Sequence, residues 1–210
     1  MKLYKVLGEN GGCYNGGTGQ WHLPKRGPGE WMPKIEGNLR PCENGYHLCR
    51  RDDLIHWLGP AIYEAEYRGE VVKDNEKVVV REARLTRRIE TWNERTARLF
   101  AADCAEHVLP LFLKSYPNDD RPAKAIQAAR DFADGKIKAA ARADARAAAW
   151  AAAGADAWAD ARAAAWADVG AAAWADARAV ERKWQTKRLF EYLGWPTEAI
   201  DTITIDMKEE

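Results

Sequence analysis

Alternation of apolar and polar residues predicts short β-strands in the first 90 residues of the chain. Four stretches are strand-like, either alternating or rich in valine: 2–7, 63–67, 71–72 and 78–80. The last two flank a turn at Asp74 and Asn75, which tolerate turn conformations. We therefore expect a small mixed β-sheet in this part of the chain.

Three further patterns lie between the first and second strands. Asn44-Gly45 separates residues 39–43 from residues 46–49 and is a strong signal for a two-residue hairpin, because both positions tolerate positive φ. Residues 52–58 fit two turns of helix ended by a Gly-Pro pair. Six glycines within residues 8–19 predict a loop.

Beyond residue 90 the pattern becomes helical. We expect three helical regions, over about 91–115, 120–135 and 137–193. Thr91 and Glu94 match a capping box, which starts the first region, and Pro110 should bend it. Gly135 and Gly194 should end the second and third.

An alanine repeat occupies most of the third helical region. Alanine fills 25 of the 42 positions from 139 to 180, and helix is the conformation that alanine favours most. Every Trp, Arg and Gly of this span falls in one row of residues spaced four apart, and every Asp falls in another. Residues four apart in a helix are offset from one another by about 40° around its axis, so the tryptophan row spirals around the helix. The segment must therefore break, most easily at Gly154 and Gly170, or be surrounded by other helices.

Two interpretations of the tryptophan row remain open. In the first, the tryptophans form the core of close-packed helices, and the Arg and Asp residues form a solvated face. This interpretation is favoured because apolar residues at helical spacing more often form a core than a binding site. The alternative is an exposed ladder that binds a partner. Its binding residues would be Trp150, Trp158, Arg162, Trp166, Trp174 and Arg178.

Charge and targeting signals narrow the class of protein. The chain has 32 basic and 32 acidic residues, so no overall field attracts nucleic acid or an anionic membrane. We find no signal peptide and no uncharged apolar stretch of membrane-spanning length. Four cysteines in such a chain indicate reduced thiols. We expect a cytoplasmic protein.

Candidate chemistry is sparse. Across the predicted hairpin, Cys42, His47 and Cys49 would share one face, and a fourth ligand, Cys13 or His22, would complete a zinc site. Small buried thiols beside a hydrogen-bonded histidine are the favoured alternative. Glu64 and Glu66 form a carboxylate pair of the kind some ADP-ribosyl-transferring enzymes use, although alternating glutamates are common on half-exposed strands. The common nucleophile, zincin and phosphate-loop motifs do not occur, so we expect no cofactor.

Residues 98–112, 116–130 and 181–193 together resemble the immunity proteins found beside bacterial polymorphic toxins. The stretch 42–49 resembles a separate, uncharacterised domain common in phage proteins. The first resemblance implies a helical protein that blocks a partner stoichiometrically and has no catalytic residues.

These observations lead to one expected organisation and function. We expect an α+β protein with a β-rich domain over 1–90, an Ala/Trp-rich helical bundle over 91–194 and a tail over 195–210. It would be a non-enzymatic inhibitor of a protein effector, either a toxin or a host-defence component. Alternatively, the N-terminal domain binds or modifies a nucleotide-type molecule, with the glycine-rich loop closing beside His47 and Glu66. Self-assembly through the Ala/Trp helices is a third possibility.

Overall fold

Strands and helices occupy separate parts of this chain, which confirms the α+β fold class. The computed structural model describes residues 2–138 and 171–198, with side chains for all of these except 171–177. The chain divides into two compact units, 1–93 and 94–210. All the described strands lie in the first unit and all the described α-helices in the second.

Four strands form one curled sheet: β1 (Leu3–Leu7), β2 (Tyr46–Leu48), β3 (Ala61–Lys73) and β4 (Val78–Arg88). Their order is β1-β3-β4-β2, and all three pairings are antiparallel. The expected mixed sheet is therefore wrong, because a parallel pair needs a long crossover, whereas β3 and β4 are joined by a tight turn. Tyr4 and Cys49 exchange backbone hydrogen bonds of 2.9 and 2.8 Å, which links β1 to the end of β2.

The two strand-like stretches at 63–67 and 71–72 are parts of a single strand, β3. The register of β3 against β4 shifts between Arg68 and Val71. Gly69 lies within this irregularity with a φ of 75°. A β-bulge with glycine in the left-handed region lets a long strand bend while pairing continues on both sides. This bulge produced the apparent break in the sequence pattern.

The predicted hairpin at Asn44-Gly45 is wrong, because the chain reverses a few residues earlier. Asn44 accepts a hydrogen bond of 2.9 Å from the amide of Arg40 and donates one of 3.0 Å to the Arg40 carbonyl. The reversal between them contains Pro41 and Cys42, and Cys42 takes a φ of 63°. Strand β2 pairs with the distant β4 instead of with residues 39–43.

The inner face of the sheet carries the core of the first unit. Alternation along β1 places Leu3, Lys5 and Leu7 on the core face. Leu3 and Leu7 are fully buried there together with Tyr63. The predicted helix over 52–58 is reduced to one 3-10 turn, Leu54–His56.

Three helices are described in the second unit: α1 (Glu94–Ser115), α2 (Arg121–Ala133) and α3 (Ala171–Leu193). Helix α1 begins three residues later than the capping box predicts. Trp92 is buried within the sheet unit and donates its indole N–H to the carbonyl of Gly59 at 2.8 Å. Gly135 and Gly194 follow the ends of α2 and α3 with φ values of 71° and 69°, which confirms both predicted helix ends.

A buried carboxylate, Asp103 of α1, joins the three helices. It accepts hydrogen bonds from Arg130 of α2 at 2.7 Å and, on α3, from Arg188 at 2.8 Å and Tyr192 at 2.7 Å. Burial by itself would raise the pKa of Asp103, but these three hydrogen bonds outweigh it and the pKa is lowered. Asp103 is therefore a charged structural centre of the helical unit.

Candidate functional site

The sheet unit contains an open cavity of about 480 Å³. Its walls come from β1, from the glycine-rich loop at 13–19 and from the segment 42–49 that contains β2. The loop is fixed at its base, where the Cys13 amide donates to the Gly19 carbonyl at 3.0 Å, and Asn15 donates to the Trp57 carbonyl at 2.9 Å. The predicted glycine-rich loop thus forms one wall of a cavity.

Lys5 projects from the core face of β1 into this cavity. Its ammonium donates to the backbone carbonyl of His47 at 3.0 Å and lies 5.1 Å from the centre of the Trp21 ring. Burial lowers the pKa of Lys5. Within 2–138 and 171–198 no carboxylate forms an ion pair with this lysine.

The three predicted metal candidates, Cys42, His47 and Cys49, all line the cavity, although the hairpin that predicted their approach is absent. His47 uses Nε2 to accept the Cys42 amide at 2.8 Å, and its pKa is lowered by burial and by Lys5 and Lys77. Lys77 donates to the Cys42 sulfur at 3.0 Å.

These contacts do not form a metal centre in the part of the chain that the structure describes, where no group of three His, Cys, Asp or Glu side chains is placed to hold an ion. Of the two proposed fourth ligands, Cys13 lines the cavity and His22 does not. Burial raises the pKa of the Cys49 thiol to about 12.

The carboxylate pair lies away from the cavity. Glu64 accepts a hydrogen bond of 2.8 Å from Arg87, and Glu66 accepts one of 2.8 Å from Arg84. Both glutamates line a different, shallow hollow beside Trp31. The structure therefore does not bring Glu66 and His47 together as the nucleotide hypothesis required.

Thiol labelling should separate the cysteines by their environment. Under native conditions at neutral pH we expect iodoacetamide to modify the exposed Cys42 at least about tenfold faster than Cys49 or Cys104. Cys49 is buried, and burial raises the pKa of Cys104 to about 11. Peptide mass spectrometry over a time course measures the rates, and labelling in denaturant shows that all the thiols can react. Comparable native rates for Cys42 and Cys49 would contradict the described cavity wall.

The partner-binding residues predicted from the alanine repeat lie mostly outside the described residues. Trp150, Trp158, Arg162 and Trp166 are outside them, and of Trp174 only the helical backbone is described. Arg178 is exposed on α3. The Trp ladder as a binding surface therefore stays a prediction.

Helices α1 and α3 carry three exposed apolar side chains, two of which are next in the chain to residues of the contact between these helices. His107 stacks on Trp184 with ring centres 3.7 Å apart and planes at 9°, and it bonds Glu181 at 2.7 Å. Next to these residues in the chain, Val108 and Val180 are 38% and 69% exposed, and Leu111, one turn further along α1, is 63% exposed. We call Val108, Leu111 and Val180 the apolar rim.

Sequence reasoning missed Lys5 and Asp103, the two charged residues with the most unusual surroundings. A signal for Lys5 was present, because a lysine between Leu3 and Leu7 at alternating positions interrupts an apolar strand face. Asp103 carried no such signal, since its partners lie 27, 85 and 89 residues away in the sequence.

Comparison with known proteins bears on the helical unit. Residues 87–167 match the model of the family described as Imm-5 like putative immunity protein, which confirms the resemblance stated from the sequence. The match includes the end of β4 and all of α1 and α2, and it ends before α3. Comparisons with curated proteins and with solved structures gave no match. None of the described helices is long and apolar enough to cross a membrane.

Proposed function

We propose that this protein inhibits a protein toxin by binding it stoichiometrically through the helical unit. The match of residues 87–167 to an immunity-protein family is the observation that carries this proposal. Immunity proteins act by occupying a surface of their partner, so the mechanism needs no catalytic group in this chain. A phage anti-defence or anti-CRISPR role would use the same mechanism on a host-defence component, and the phage-like stretch 42–49 supports that version.

The apolar rim supports the helical unit as the contacting part. Exposed apolar side chains that cluster beside polar ones are typical of protein-binding surfaces. Arg178, one of the predicted binding residues, is exposed on α3 two positions before Val180. We therefore propose that the rim and Arg178 belong to the toxin-binding surface, and the tryptophan row of 150–174, mostly outside the described residues, stays a predicted part of it.

Affinity capture from the native host with the full chain, followed by co-expression with the captured toxin, tests the proposal. We expect growth to be restored, and the two chains to co-purify as a complex of fixed stoichiometry by light scattering. Growth restored by a catalytic amount of this protein would contradict a blocking mechanism. Homo-oligomers without toxin binding would favour self-assembly through the Ala/Trp helices.

A charge placed on the apolar rim should weaken the complex. We expect Leu111→Asp to lower toxin affinity at least about tenfold, because it puts a carboxylate where the partner is expected to bury an apolar side chain. Ala123→Asp adds the same charge at an exposed position of α2 and should bind like the wild type. Circular dichroism checks that both variants fold. Equal affinities for the two variants would place the binding surface elsewhere.

A further inference from the structure

Lys5 is a partly buried positive charge without a counter-charge. An ammonium has three N–H donors, and the one hydrogen bond that Nζ makes within the described chain goes to the His47 carbonyl. A charged group withdrawn from water costs free energy unless an opposite charge or further hydrogen bonds compensate it. An anion in the cavity beside Nζ would supply both.

The rest of the cavity also favours an anion. Lys77, which also pairs with Asp74 at 3.6 Å, brings a second ammonium to its wall, and Glu43 is the one carboxylate among the described lining residues. The amides of Gly16, Gly17 and Thr18, in an exposed part of the loop that lines the cavity, donate no hydrogen bond within the described ranges. Free backbone N–H groups beside cationic side chains are a common arrangement for binding carboxylates and phosphates.

The size and the apolar part of the cavity indicate a small molecule. A volume of about 480 Å³ lies within the range of ligand pockets and is far too small for a protein surface. Trp21, Trp57 and Tyr46 are among its lining residues. Aromatic walls favour a planar, apolar group on the ligand.

We propose that this cavity binds a small organic anion with a planar apolar part. Its carboxylate or phosphate group lies against Lys5 Nζ, and its planar part packs against the tryptophan rings. The site lies wholly within the sheet unit, so it does not depend on the toxin inhibition proposed for the helical unit.

Calorimetric titration of the full chain tests the ligand class. The probes are adenosine monophosphate and indole-3-acetate, each compared with its uncharged counterpart, adenosine and indole-3-acetamide. We expect at least one anion to bind about tenfold or more tightly than its uncharged counterpart. Preference for adenosine monophosphate would identify a phosphate ligand, and preference for indole-3-acetate a carboxylate. No binding of either anion, or equal binding of the uncharged molecules, would overturn the proposal.

Variants of two lysines, Lys5 in β1 and Lys2 just before it, locate the charge that binds the anion. Lys5→Met should lose the preference for the anion, while its melting temperature should stay equal or rise, since methionine suits the apolar face better than an unpaired charge. Lys2→Met removes an exposed charge, paired with Glu64, from the residue just before the same strand and should bind like the wild type. Undiminished anion binding by Lys5→Met, or a clearly lower melting temperature, would contradict the role assigned to Lys5.

Discussion

Replacing Asp103 with asparagine should destabilise the helical unit by about 2 to 3 kcal/mol. The amide has the shape of the carboxylate but removes the charge that Arg130 and Arg188 approach at 2.7 Å, and it turns an N–H₂ group toward one of the donors. Denaturant unfolding followed by far-ultraviolet circular dichroism measures the loss, because the described helices all lie in this unit.

The loss of stability in Asp103→Asn should depend on pH in a defined direction. The pKa of Asp103 is lower in the folded chain than its usual value, so the carboxylate contributes its stability above about pH 4 and loses it as the pH falls through the folded pKa. The difference between wild type and Asp103→Asn should therefore narrow at acid pH. Asp120→Asn changes an exposed pair with Lys124 and should alter stability by less than about 0.5 kcal/mol. Similar losses in both variants would contradict a central role for Asp103.

The ends of the helices were predictable from sequence and the start of α1 was not. Gly135 and Gly194 end their helices because the closing hydrogen bonds need a residue with positive φ, which is a local requirement. Helix α1 begins at Glu94, and Trp92, two residues before it, donates its indole N–H to a carbonyl 33 residues earlier. The capping pattern at 91–94 is local and carries no signal for this distant contact.

The strands were predicted better than their pairing. Alternation and valine content identified β1, parts of β3 and only the start of β4, residues 78–80. Pairing of β2 with β4 joins His47 to Val79 across 31 intervening residues, which no local turn signal contains. The same pairing carries Cys42, His47 and Cys49 to the cavity, so these residues converge for a reason other than the predicted hairpin.

Replacing Gly45 should cause the second large loss of stability. The reason is not the turn that the sequence predicted at this residue. Gly45→Ala should destabilise the sheet unit by about 3 kcal/mol. Gly45 has a φ of 132°, which side-chain-bearing residues rarely adopt, and an added Cβ would lie 2.3 Å from Cγ1 of the fully buried Val79. Amide hydrogen exchange of β4 measures the loss, because its central amides report the stability of the sheet.

Alanine substitutions at two further glycines separate the free-energy cost of backbone strain from the cost of steric overlap. Gly16→Ala keeps a positive φ of 85° with open space around the new methyl group, so we expect a loss of about 1 kcal/mol. Gly27→Ala has neither constraint and should be neutral or slightly stabilising. If Gly45→Ala costs no more than Gly16→Ala, contact with Val79 does not fix the approach of β2 to β4. A loss well above that of Gly16→Ala shows that this close approach, rather than a turn, requires glycine at position 45.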